Sequence, residues 1–154
     1  IWSSYRAESE GVFIAYTSVY GNTAAAAKEL KALLESKGCR VSSADLARED
    51  MAEAVEDAFR YDRIVLATTT YNADIFPFMR TFIEALTERG FRNRTVGIIE
   101  NGSWAPTAAR VIRGMLEKSK DLKFAETTVQ IKSALNAESR AQLAALADEM
   151  QFRH

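Results

Sequence analysis

Apolar runs alternate with amphipathic stretches along almost the whole chain. Residues 12–17, 63–68 and 95–99 are short runs of strand length and strand composition. Residues 40–45 and 124–131 are more polar; in the latter Thr127, Val129 and Ile131 alternate with polar neighbours. Each run is followed by a stretch with helical spacing. Ala26, Ala27, Leu30, Leu33 and Leu34 share one face of residues 23–37, with Gly38 at its C-cap. Met51, Val55, Ala58 and Phe59 mark a second helix. Pro77 opens a third, which buries Met79, Phe82, Ile83 and Leu86 and stops at Gly90. Pro106 leads into a fourth, with Ala108, Val111, Ile112, Met115 and Leu116 inward. Asn136 caps a fifth, with Leu143, Leu146, Ala147 and Met150 inward. Five strands alternating with five helices predict an α/β fold, with a five-stranded parallel sheet covered on both faces. Strands one, three and four are apolar throughout and belong in the centre. Strands two and five belong at the edges. The order is then 2-1-3-4-5, with its switch point between strands one and three.

The chain has 154 residues, of which 47% are hydrophobic and 27% charged, so one domain with a substantial core is expected. Residues 1–11 read as a linker or N-terminal arm carrying Trp2 and Tyr5, and residues 12–152 as the domain. A net charge of −1 gives no electrostatic case for nucleic acid. No apolar run approaches a membrane span, and residues 1–11 have no signal-peptide core. A single cysteine, Cys39, rules out an internal disulfide and suits a reducing, cytoplasmic setting. Residue 1 is Ile rather than Met, which leads us to expect a module of a longer protein.

All strands of a parallel sheet end on one side, so the loops after strands one, three and four converge at the switch point. The first holds Ser18, Val19, Tyr20, Gly21, Asn22 and Thr23. The second holds Thr69, Thr70, Tyr71, Asn72, Ala73 and Asp74. The third holds Glu100, Asn101, Gly102, Ser103 and Trp104. The first loop leads into a helix N-terminus, where unpaired N–H groups and a partial positive charge attract anions. It has no Lys or Arg; the first is Lys28. A phosphate there would be held by dipoles and by the hydroxyls of Ser18 and Thr23 rather than by ion pairs. The plain alternative is an ordinary strand-to-helix turn capped by Asn22 or Thr23. Trp104 either stacks on a ligand or covers a core edge, and Asp74 either acts on a ligand or is solvated.

The three loops lack His and Cys, so neither a catalytic side chain nor a set of metal ligands is expected. A serine hydrolase needs a triad histidine, and the one His is His154. Asp45 is placed like the ribose-binding acid of a dinucleotide site, but the first loop has one glycine where such a site has three. A phosphorylation receiver would need an acceptor Asp at the end of strand three, where Thr68, Thr69 and Thr70 stand. The Walker signature is absent. A non-enzymatic interaction module on the same fold remains open.

Ser18, Gly21, Asn22 and Thr23 after a first strand resemble the flavin-phosphate loop of the flavodoxin family. Thr70-Tyr71-Asn72 followed by Phe76-Pro77, and Gly102-Ser103-Trp104, resemble the C-terminal flavodoxin domain of flavodiiron proteins, the A-type flavoproteins. The chain departs from that group at Val19, where Met is usual. It departs again at residues 100–104, where Gly-Ser-Tyr-Gly-Trp is usual. The resemblance implies a flavodoxin-like three-layer α/β/α sandwich with FMN as cofactor. Ser18, Val19, Tyr20, Gly21, Asn22 and Thr23 would take the phosphate. Thr69, Thr70, Tyr71, Asn72, Ala73, Asn101, Gly102, Ser103 and Trp104 would hold the ring, with Tyr71 and Trp104 flanking it. The implied role is electron transfer from a reductase or rubredoxin-type donor to a diiron domain, of the same or a paired protein, that reduces dioxygen or nitric oxide. A free-standing flavodoxin is the alternative, and a homodimer is compatible with either. Without cationic side chains at the ring, extra negative charge on the reduced flavin would be disfavoured.

Overall fold

The computed structural model describes residues 9–17, 22–46, 50–71, 74–75, 77–89, 94–101, 108–116, 122–131 and 137–150. Among the described residues, six strands and five helices follow one another in the order β1 (Ser9–Tyr16), α1 (Asn22–Ser36), β2 (Val41–Asp45), α2 (Met51–Arg60), β3 (Tyr61–Tyr71), β4 (Asp74–Ile75), α3 (Pro77–Glu88), β5 (Arg94–Asn101), α4 (Ala108–Leu116), β6 (Leu122–Ile131) and α5 (Ala137–Met150). The sheet runs β2-β1-β3-β5-β6, and every pair along that path is parallel. The expected strand count needs a correction. β4 adds a sixth, two-residue strand that folds back antiparallel onto the end of β3, pairing Thr70 with Ile75 and Tyr71 with Asp74.

The central strands are buried on both faces, and their side chains divide by parity. Phe13, Ala15, Ile64, Leu66, Val96 and Ile98 join one core with residues of α2, α3 and α4, among them Val55, Phe82, Leu86 and Ile112. Val12, Ile14, Val65, Ala67 and Ile99 join the other with Ala26, Leu30 and Leu34 of α1 and Leu143 and Leu146 of α5. The helices thus form a layer on each side of the sheet. Lys37–Asp148 (2.7 Å) and Arg140–Glu29 (3.3 Å) tie α1 to α5 at the surface.

The helix ends follow from local chemistry. The side chain of Asp50 caps α2 by accepting from the Ala52 N–H at 3.0 Å. α1 ends in a Schellman motif, in which Cys39 N–H donates to Leu34 O and Gly38 N–H to Glu35 O, both at 3.0 Å. Gly38 sits at φ +87°, which a residue with a Cβ adopts at a cost. The expected helix stop at Gly90, the lead-in at Pro106 and the cap at Asn136 lie outside the described residues.

The strands run past their apolar stretches. β1 opens at Ser9, three residues before the expected start, with a register shift between Ser9 and Val12 against β3. Gly11 makes this possible. A Cβ there would lie 2.7 Å from the Arg40 carbonyl oxygen, which accepts from the Val12 N–H at 2.9 Å, and 2.9 Å from Cδ1 of Tyr61. β3 likewise extends at both ends, to Tyr61 and Tyr71. Backbone ladders need no apolar side chain, so hydrophobic pattern alone undercounts strand length.

Candidate functional site

The C-terminal ends of β1, β3 and β5 lie side by side. Tyr16 pairs with Ala67, Thr68 with Glu100, and Thr69 with Asn101. From β1 the chain turns through α1 to β2 on one side. From β3 it turns through α3 to β5 on the other. The crevice between β1 and β3 is therefore the topological switch point, where ligands bind open α/β sheets.

Polar groups sit unusually deep at this rim. Thr17 and Thr68 are fully buried, and their Oγ1 atoms are 2.8 Å apart in one hydrogen bond across the crevice. The Thr17 N–H donates to Ala67 O at 3.0 Å, and the Leu46 N–H to Tyr16 O at 2.9 Å, so the strand ends are held rigidly. Glu100, beside Thr68 on β5, is 2% exposed. Thr68 shares its parity with Leu66, and Glu100 with Ile98. Both therefore stand on the sheet face covered by α2, α3 and α4. Neither is among the residues expected to bind a ligand. Their polar character made them read as strand ends or loop, and only their burial marks them.

The helices around the rim share a feature. α1 follows β1, α3 follows β3 by way of β4, and α4 follows β5, and none has an acidic residue in its first turn as described. α2 and α5, which follow the edge strand β2 and the terminal strand β6, carry Glu53 and Glu138 there. Acids normally favour helix N-termini because they complement the partial positive charge. These three N-termini, each following a central strand, thus leave that charge available to a bound anion.

Of the residues expected to hold a phosphate, Asn22 is the first residue of α1 and Thr23 the second, and Thr23 is fully buried. Of those expected to hold a ring, Thr69, Thr70 and Tyr71 are the last three residues of β3. Asn101 ends β5 beside Thr69. The pairing of Thr69 with Asn101 brings the ends of β3 and β5 side by side at one edge of the sheet. Ser18, Val19, Tyr20, Gly21, Asn72, Ala73, Gly102, Ser103 and Trp104 lie outside the described residues. Among the described residues, no three His, Cys, Asp or Glu side chains are grouped to hold a metal ion. No helix among them is long and apolar enough to cross a membrane.

A doubly wound sheet with this order defines an open α/β domain whose topological switch point lies between β1 and β3. The flavodoxin family model matches residues 14–150, and the chain belongs to the flavodoxin family. No curated protein matches it by sequence. Among solved structures it is similar to rubredoxin oxygen:oxidoreductase from the anaerobe Desulfovibrio gigas. There the TM-score is 0.89 at 17% identity, over 97% of this chain but 37% of that one. The flavodiiron protein of Giardia intestinalis gives a TM-score of 0.78 at 16% identity, again over 37% of that chain and 96% of this one. A flavodoxin from the domain Archaea gives 0.78 at 15% identity, over 96% of that chain and 92% of this one. At these identities the likeness is one of fold.

Proposed function

We propose that the chain is an FMN-binding electron-transfer domain. The observation that carries this reading is the absence of acids from the first turns of α1, α3 and α4, the helices that follow the central strands β1, β3 and β5. A phosphate fits the first of them. Asn22 and Thr23 open α1 there, and dipolar donors rather than a salt bridge would hold the dianion. Thr69, Thr70, Tyr71 and Asn101, on two adjacent strand ends, would border the ring, with Gly102, Ser103 and Trp104 following β5. When bound, FMN supplies the one- and two-electron chemistry. The protein orients it, limits water around it and sets its electrostatic surroundings.

The finer reading is a module of a flavodiiron-type enzyme. A reductase or rubredoxin-type donor would deliver electrons, and a diiron domain of the same or a paired protein would receive them. The near-complete superposition on a little over a third of rubredoxin oxygen:oxidoreductase supports it. A tethered domain needs little charge steering, which suits a net charge of −1. The second reading, a free-standing flavodoxin, is favoured by the 96% coverage of the archaeal flavodoxin.

Titration of the apoprotein with FMN and riboflavin, followed by flavin fluorescence, tests the cofactor. Charge-assisted hydrogen bonds to the phosphate contribute roughly 1.5–3 kcal/mol each. FMN should therefore bind at least about tenfold more tightly. Equal affinities would remove the phosphate assignment. Metal analysis and anaerobic nitric oxide consumption by the chain alone separate a module from a complete enzyme. Stoichiometric iron with steady turnover would overturn the modular reading.

A further inference from the structure

The net charge of −1 conceals an uneven distribution. Residues 89–123 carry eight Lys and Arg against three Asp and Glu, and one of those acids, Glu100, is buried. The rest of the chain carries eighteen acids against twelve bases. The basic stretch runs from the end of α3 through β5 and α4 to the start of β6, an edge strand of the sheet. Four of its bases stand at the end of the sheet away from the crevice. Arg94 opens β5, and Lys123 is second in β6, in register with Thr95. Arg89 follows α3, and Arg113 lies in the last turn of α4. Cations favour helix C-termini in any protein. That accounts for Arg89 and Arg113 but not for bases at two strand starts.

Two of the four are held over aromatic rings. The Arg89 guanidinium lies 5.8 Å from the centre of the Phe59 ring, and that of Arg113 lies 5.6 Å from the centre of the Phe124 ring. Both arginines are exposed and both rings are half-buried. A ring beneath a guanidinium restrains it, so less freedom is lost when its fork of donors meets a carboxylate. Gly114, next to Arg113, is exposed, and a Cβ there would meet nothing within 4 Å. Glycine weakens a helix, and here it leaves open surface on which another backbone can approach closely. Arginine, aromatic rings and half-buried Leu122 and Met115 at one corner have the composition of an interface centre.

We propose that this corner of α3, α4, β5 and β6 docks the acidic face of a partner protein, on the side of the domain away from the crevice. It does not depend on what the crevice binds. Arg94 and Asn101 begin and end β5, roughly 23 Å apart at about 3.3 Å per residue, so a partner seated at Arg94 leaves the crevice open. Glu88, exposed beside Arg89, offsets one of the four cations. The acidic remainder of the chain repels an acidic partner elsewhere, which fixes where that partner lands. A second copy of this chain is a poor occupant. Its most acidic stretch is residues 45–62, with seven Asp and Glu against two Arg. There Asp50 is committed to capping α2, and Asp57 to Arg60 at 2.9 Å.

The test is fluorescence anisotropy of a labelled peptide of alternating Asp and Glu, with the matching Asn and Gln peptide as control. The acidic peptide should bind the full chain at low salt and the control should not. Binding should weaken severalfold at about 0.15 M salt, where the screening length falls to about 8 Å. Arg89→Gln combined with Arg113→Gln should weaken it about fivefold, as losing two exposed charge pairs does. Lys28→Gln combined with Lys31→Gln, on α1 in the other helix layer, should leave it unchanged. Circular dichroism should be the same for all three proteins. Failure of the wild-type chain to bind the acidic peptide overturns the proposal, and so does equal binding by the arginine variant. If that variant does not fold, the wild-type chain decides, because binding that salt leaves unchanged also overturns it. Tighter binding of a single-stranded oligonucleotide of equal charge overturns the assignment to a protein. Salt-sensitive self-association in sedimentation, lost in the arginine variant, overturns it in favour of a second copy.

Discussion

Thr17 and Thr68 share a single hydrogen bond, Oγ1 to Oγ1 at 2.8 Å, that joins the ends of two parallel strands where no water reaches either side chain. Removing one hydroxyl leaves the other without that partner in a dry site, at a cost of about 1–3 kcal/mol. Thr68→Val and Thr17→Val should each lower stability by that order in urea denaturation. The double variant should lose less than the sum by at least about 0.5 kcal/mol, since the second change no longer orphans a partner. Strict additivity would show that the pair is not coupled.

Gly11 lets the Arg40 carbonyl and the Tyr61 ring approach the backbone of β1. Gly11→Ala would place a methyl group 2.7 Å from a backbone oxygen that is itself fixed by the Val12 N–H. One strand must shift, and we expect a loss of roughly 1–3 kcal/mol by thermal or chemical unfolding. An unchanged midpoint would mean that the start of β1 can move away freely.

Gly38 isolates backbone conformation from packing, because a Cβ added there meets nothing within 4 Å. At φ +87°, Gly38→Ala should cost about 1 kcal/mol, from left-handed strain alone. Gly38→Asn should cost clearly less, since Asn tolerates this region and also ends helices. Equal losses for Ala and Asn would argue that something other than the Schellman geometry holds the end of α1.

Trp104 follows β5 at the proposed ring site. If it stacks on the flavin, Trp104→Ala should weaken FMN binding by roughly 0.5–1.5 kcal/mol beyond the lost contact area. It should also relieve quenching of flavin fluorescence. Unchanged affinity and emission would assign Trp104 to covering the core.

The layered sheet was legible because burial on two faces leaves a plain mark. Ile64, Val65, Leu66 and Ala67 form an unbroken apolar run, and the structure sends Ile64 and Leu66 to one core and Val65 and Ala67 to the other. Gly38 as a helix stop was legible for a similar reason, since few residues suit that conformation. The buried polar row of Thr17, Thr68 and Glu100 was not. Thr68 and Glu100 differ from solvent-facing residues only in what surrounds them, and no periodicity reports that. Gly11 read as part of a linker because its role is set by Arg40 and Tyr61, both distant in sequence. β4 escaped because two residues carry no alternation, and its pairing with Thr70 and Tyr71 is a matter of tertiary geometry. The strand ends that meet at this rim were legible, while the buried polar row beneath them was not.

The ion pairs between α1 and α5 bear on how the protein is made. Arg140 and Glu29 are 111 positions apart, so α1 packs beside a helix that is translated long after it. Until residues 137–150 emerge, Leu30 and Leu34 lack the α5 side of their core, and Val12, Ile14 and Val65 are half covered. The opposite layer is built from helices contiguous in sequence, α2, α3 and α4, and can close as each is synthesised. The nascent domain is therefore one-sided for most of its synthesis. The exposed side is the one behind α1, and its sealing must wait for translation of the C-terminal segment.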